Sequence, residues 1–343
     1  MSGKAPAAEI EAGRPRWARV VDGGGAGGDA PTRRPDHAVG SVRHEIMTRR
    51  GWLLFIALGV IWGLPYFFIR ISVRQVSPAL LVFIRTGGSS LILVPVALAR
   101  KELQPVLRRW KPLVAYTLVE IGLPWFLLFS AERHLSSSLA GLLIAAVPLI
   151  AALIAIVTGT DAVDRRRLAG LVAGVAGVAV LVGFDVGRSD AWAAASMAVV
   201  ATGYALGPWL LSRHLSALPG IGVMAASLVV CALVYLPFAL VELPTRTLAP
   251  SVVGSVVALT VVCTALAFPV FFALVGEVGA MRTTVITYVN PAVAVLLGVA
   301  ALGEHFGAGT GVGFVLILVG CFLATQQVRH RAPLLEVPPV GEP

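Results

Sequence analysis

The residues that could do chemistry in this sequence are few, and they stand out because their neighbours are apolar. Glu120 sits in the run 112–131, Arg85 in 78–99, and Asn290 directly before Pro291 in 282–302, with Tyr288 two residues earlier. A carboxyl in such a run must face water, pair with a base or hold a proton. Glu120 is therefore read in two ways, as a proton-coupling or ammonium-binding group or as a protonated structural carboxyl. Arg85 could grip a carboxylate through its two-pronged guanidinium, or be structural, reaching for the interface or for Glu132. The Asn290 amide could bind substrate or satisfy backbone freed by Pro291. Trp62 and Tyr204 suit either core packing or the lining of a pocket for an amphipathic organic molecule, and Tyr66 and Trp125 are weaker candidates of that kind. No metal-protease helix, paired cysteines, phosphate-binding loop or nucleophile elbow occurs. His134, His214 and His305 share no metal-ligand spacing, and Cys231, Cys263 and Cys321 read as small core residues. No catalytic residue, metal or cofactor is expected, and without an ATP-hydrolysing segment any active transport must be secondary.

The surroundings of these residues come from composition. The 343 residues are 57% hydrophobic and 13% charged, with a mean hydropathy of +0.86. A soluble domain carries roughly 25% charged residues, so much of this surface must face something other than water. Ten apolar runs, at 52–70, 78–99, 112–131, 138–157, 167–184, 191–211, 221–241, 251–275, 282–302 and 309–327, are each long enough to cross a bilayer as a helix. With the N-terminus in the cytoplasm, inner segments carry 21 Lys and Arg against 5 in outer loops, which places both termini in the cytoplasm of a multi-pass plasma-membrane protein. The net charge of +9 is explained by this bias, and nucleic acid is not an expected partner. Residues 1–46 have the composition of a disordered tail, Met47 is a candidate natural start, and 328–343 reads as a cytoplasmic tail. At 1.5 Å per residue, Glu120 and Asn290 lie roughly 12 Å from the inner side and Arg85 roughly 10 Å from the outer side.

The runs repeat. Pro148 and Pro291 are 143 residues apart, as are Asp161 and Glu304, Gly170 and Gly313, and Gly177 and Gly320. Trp62 aligns with Tyr204, and Glu132 with Glu277, at nearly the same spacing. Each unit holds five spans, an odd number, so the second copy is inverted relative to the first. The units are 52–184 and 191–327, with Pro148 and Pro291 as candidate hinges. Glu304 and Asp161 read as loop charges or as gating groups.

The opening Val60-Ile61-Trp62-Gly63-Leu64-Pro65-Tyr66, Pro78 with Arg85, and Asn290-Pro291 through Leu302-Gly303-Glu304 resemble the EamA family of the drug/metabolite transporter superfamily. The resemblance spans about residues 50–327. One departure is Thr160-Asp161 where the family often has Gly-Glu. It implies an all-α integral membrane fold of ten transmembrane helices in two inverted five-helix repeats, and a secondary transporter, commonly an exporter of amino acids or other metabolites by alternating access. A small-molecule substrate and the lipid bilayer are the expected partners, with proton coupling and a homodimer as further expectations. A membrane-embedded enzyme acting on lipid and a facilitative channel-like permease are the alternatives. The candidate substrate-binding residues are Trp62, Tyr66, Arg85, Glu120, Tyr204, Tyr288 and Asn290.

Overall fold

The computed structural model describes residues 47–159, 164–185, 190–279, 283 and 286–325. Asp161, Arg282 and the two tails, all noted in the sequence, lie outside the described residues. The described chain is all-α. Its membrane helices, labelled in chain order, are α1 Arg49–Ser72, α2 Pro78–Ala99, α3 Trp110–Ala131 and α4 Ser137–Val157. Then come α5 Arg165–Asp185, α6 Ala191–Leu215, α7 Gly220–Val241, α8 Pro250–Val278, α9 Ile286–Leu302 and α10 Ala308–Thr325. Among the described residues nine of these helices are long and apolar enough to cross a membrane, and α9 is a shorter apolar helix.

Local chemistry sets the ends. Thr48, Ser77 and Ser136 cap α1, α2 and α4, their hydroxyls accepting from the backbone N–H of Gly51, Leu80 and Leu139 at 2.9, 3.3 and 3.1 Å. Prolines at the first turn of α2 and α8 start helices without losing a hydrogen bond. Gly159, Gly279 and Gly303, with φ of 70°, 83° and 67°, follow α4, α8 and α9 in the left-handed region that ends a helix. Outward faces carry Leu53, Leu91, Val157, Leu233 and Val241, all exposed, as lipid contact requires.

The packing follows an approximate two-fold exchange of the repeats. Counterparts α2 and α7 lie against each other, as do α5 and α10; α1 packs on α8 as α6 packs on α3; α9 bridges α1 and α4. The α5–α10 contact is made at backbone distance by the glycines whose spacing marked the repeat. A Cβ on Gly170 would meet the Ala324 nitrogen at 2.6 Å, and one on Gly177 the Gly313 carbonyl at 2.8 Å.

Four helices depart from regular geometry, α6 among them with a π-helical last turn at Leu211–Leu215. α3 is π-helical over Leu118–Gly122 and α8 over Val261–Leu266, segments that begin 143 residues apart. Each ends just before a proline, Pro124 or Pro269. α4 is broken at Ala145–Ala146, with Pro148 in the first turn of its second half, and the Cys321 thiol donates to the Ala145 carbonyl at 3.2 Å. α9 by contrast runs unbroken through Pro291. The two candidate hinge prolines therefore stand in different local geometries.

The glycine contact is testable. Gly320 already places its Cα within reach of Gly174, where an added Cβ would meet backbone nitrogen at 2.5 Å. Gly320→Leu is expected to force α5 and α10 apart and to cost about 1–3 kcal/mol, read as a lowered melting temperature of the detergent-purified protein.

Candidate functional site

Arg85 is the buried charge around which a site assembles. Its residue is 5% exposed, in the middle of α2 and facing α3 and α8. Its Nε donates to the Thr264 hydroxyl at 2.8 Å, and its guanidinium carbon lies 3.8 Å from the centre of the Trp125 ring. Phe129 stands behind at 5.9 Å. Stacking a desolvated guanidinium on tryptophan contributes about 2 kcal/mol. Among the described residues, the two terminal guanidinium nitrogens make no protein hydrogen bond, so the bidentate edge is left open.

The irregular helices explain how Thr264 and Glu120 are aimed. In the π-helical stretch of α8 the Thr264 hydroxyl donates to the Leu259 carbonyl five residues back at 2.8 Å, leaving its oxygen to accept from Arg85. The Thr260 carbonyl accepts from Ser89 of α2 at 2.8 Å, which ties the two helices beside the site. In α3 the matching stretch carries Glu120, and the Gly122 carbonyl accepts from Tyr235 of α7 at 3.0 Å. π-Helical turns of this kind rotate the register of a helix and are frequent at functional sites.

Glu120 presses against Gly207 of α6, where any Cβ would collide with the carboxylate. Its Oε2 is buried and has no hydrogen-bond partner. Tyr204, one turn away on α6, interacts with both Glu120 and Arg85 and reaches Trp125. Tyr66 of α1 is 7% exposed and faces Tyr204, Glu132 and Arg85. Three of the seven candidate residues, Tyr66, Arg85 and Tyr204, thus lie near one another in a place built from both repeats, and Glu120 adjoins it through Tyr204. The acidic group acting on Arg85 is Glu132 rather than Glu120, but the Glu132 oxygens accept no hydrogen bond, so the direct Arg85–Glu132 pair considered from the sequence does not form.

The comparisons with known proteins bear on this architecture. The EamA-like transporter family matches residues 49–183 and 189–326. The chain belongs to the EamA-like transporter family. The EamA chain is 28% identical over 256 residues to the Escherichia coli K12 protein named "Uncharacterized inner membrane transporter YedA", covering 72% of this chain and 81% of that protein. It is 23% identical over 294 residues to an "Uncharacterized transporter" of Archaeoglobus fulgidus, covering 83% of this chain and all 100% of the other. A solved structure titled "Crystal structure of protein" shares the fold with a TM-score of 0.60 at 22% identity, covering 80% of this chain and 96% of that one. The protein is accordingly a multi-pass transporter of the membrane, with two EamA units of five helices.

Within the EamA fold the other three candidates lie apart from the cluster. Trp62 packs on Phe271 and Phe268 of α8 at ring distances of 5.1 and 6.3 Å, in a satellite apolar cluster with Leu58, Ala267, Leu274 and Ile286. Asn290, with its amide nitrogen turned towards them, reaches the carbonyls of Gly59 at 3.2 Å and Ile286 at 3.1 Å, so it joins α9 to the backbone of α1. Tyr288 faces Thr325 and Cys321 of α10.

Glu304 is more than a loop charge. Its carboxylate accepts from the backbone N–H of Ser137 at 2.7 Å and of Ser138 at 2.9 Å, and from the Ser138 hydroxyl at 2.6 Å. It caps the start of α4 from the end of α9, across the repeats. The absence of a side chain on Gly298 leaves room for this contact.

Thr264 and Gly207 escaped the sequence reading. A lone threonine in an apolar helix more often bonds its own backbone, and the only pointer to Thr264 was the proline a turn later. Thr264→Val is expected to leave the Arg85 Nε unpartnered and cost about 1.5–3 kcal/mol, read as a drop in melting temperature that Thr264→Ser restores.

Proposed function

We propose that the protein is a secondary transporter that moves a small amphipathic organic solute by alternating access of its two inverted repeats. The observation that carries this reading is the composition of the Arg85 site. Its charge comes from α2 of the first repeat, its Nε partner Thr264 from α8 of the second, and its neighbours Tyr66 and Tyr204 from one repeat each. A ligand held there touches both halves, so motion of one repeat against the other changes its access.

The chemistry favours a molecule with a carboxylate for the open edge of Arg85, a cationic or hydrogen-bonding group for Glu120 and an apolar portion against Trp125 and Phe129. Amino acids and related compounds fit that description. Tyr204, which interacts with both charges, suits a ligand that spans them. The Lys and Arg bias of the loops supports an orientation with both termini in the cytoplasm; export is proposed as the working direction on the family resemblance alone.

Counterflow in proteoliposomes tests the mechanism. A carrier loaded with unlabelled phenylalanine accumulates labelled phenylalanine transiently, and a channel-like permease gives simple equilibration. Within that assay Arg85→Lys keeps the charge but loses the planar fork, so apparent affinity is expected to fall about tenfold, or about 1.4 kcal/mol. Unchanged affinity removes Arg85 from the binding site. Glu120→Gln should weaken phenylalanine more than the amine-free phenylpropionate; an equal effect on both would remove Glu120 as the ammonium ligand.

A further inference from the structure

A second carboxyl lies buried beyond the Arg85 cluster. Glu132 is the residue immediately after α3, at the end of the bundle where α1 finishes and α4 begins. It is 0% exposed, and neither carboxyl oxygen has a hydrogen-bond partner. Arg70 at the end of α1 donates to the Glu132 backbone carbonyl, not to its carboxyl. An ionised carboxylate removed from water with no donor on either oxygen costs several kcal/mol, and such a group takes a proton instead.

The charges around it decide how firmly the proton is held. From α1 come Arg70 and Tyr66; from α2, Arg85; from α6, Tyr204; and from the segment before α10, Glu304, whose own carboxylate is engaged by Ser137 and Ser138. In the turn that follows Glu132, His134 lies 3.7 Å from Asp190 and Arg133 is exposed. Burial pushes the Glu132 carboxyl well above the usual carboxylate range, Arg70 and Arg85 oppose the rise, and Glu304 adds to it. Of these, the charge that a ligand could change is Arg85.

We propose that Glu132 is the proton-binding site of this carrier, and that it gains its proton when an anion neutralises Arg85. The step is a single protonation. At a pH near its raised titration, where the carboxylate is populated, Glu132 takes one proton from solvent to become the neutral carboxyl as the anion binds, and returns it when the anion leaves. The anion half rests on the reading of Arg85 as the carboxylate ligand; the proton half rests on burial and the absence of donors. By linkage, anion binding tightens as pH falls towards the titration of Glu132. A folded-state value above the ordinary one also means that Glu132 costs stability as pH rises from the usual carboxylate range to its own raised value, and glutamine removes that cost.

The test is an infrared pH titration of the full chain in lipid, following the C=O stretch of protonated carboxyls. Because Glu120 is buried with an unpartnered oxygen as well, the reference is Glu120→Gln, which should show a band that outlasts those of exposed carboxyls and that is absent from the Glu120→Gln/Glu132→Gln double variant. In that background Arg85→Gln should move its midpoint up by about one pH unit, a tenfold change in proton affinity, and Arg85→Lys should leave it in place. Adding phenylacetate to Glu120→Gln should shift the midpoint as Arg85→Gln does. A band that survives in the double variant, or no such band in Glu120→Gln, overturns the proton site. If Arg85→Gln moves the midpoint but phenylacetate does not, the proton site stands and the anion reading of Arg85 is overturned. Glutamine has the shape of glutamate and displaces no existing hydrogen bond here, and the two Arg85 variants report on Glu132 without altering it.

Discussion

A guanidinium held inside an apolar bundle is costly, and the centre of this structure is arranged to meet that cost. Arg85 keeps a hydroxyl on its Nε and an indole against its face. Those two contacts are drawn from separate repeats and require a π-helical turn in α8 to place Thr264. Ser89, one turn along α2, fastens the same turn through the Thr260 carbonyl. The terminal nitrogens are left without a protein hydrogen bond among the described residues.

The repeats share a skeleton but differ in polarity. The two π-helical stretches correspond, yet Glu120 in the first aligns with Cys263 in the second, and Trp125 with Phe268. Trp62 meets Phe268 as Tyr204 meets Trp125, so two equivalent aromatic pairs cross between the repeats. Only one of the pairs is surrounded by charge. Glu132 and Glu277 are a further contrast. The first is sealed and unpartnered, while the second accepts a hydrogen bond from Thr48 at 2.6 Å. The repeats thus share a scaffold, and the buried charges lie on one side of it.

Much of the scaffold was legible because it follows from quantities a chain displays openly. Helix length is set by bilayer thickness, so the runs 78–99 and 221–241 fall within a residue of the observed α2 and α7. The glycines of α5 and α10 were readable because close backbone approach has no other residue to use. Arg85 and Glu120 announced themselves by their cost in apolar surroundings. Trp62, Asn290 and Tyr288 were harder, because helical depth is encoded in the sequence and rotation about the helix axis much less so. The π-helical turns add to this by shifting the face of everything beyond them. Glu304 was misjudged for a related reason: a carboxylate at a loop looks solvated until the helix N-terminus it caps, some 166 residues earlier, is in view.

The α5–α10 seam also constrains motion. These helices touch where glycines let backbone approach backbone, with Leu181, Ile317 and Leu323 packed closely around the contact. Pulling them apart would open a gap that nothing nearby can fill, and sliding them would drive neighbouring Cβ atoms into backbone. Turning about the line of contact does neither. Any motion of one repeat against the other would therefore be accommodated at this seam by rotation about the line of contact, which makes the seam a fixed axis and not a sliding face.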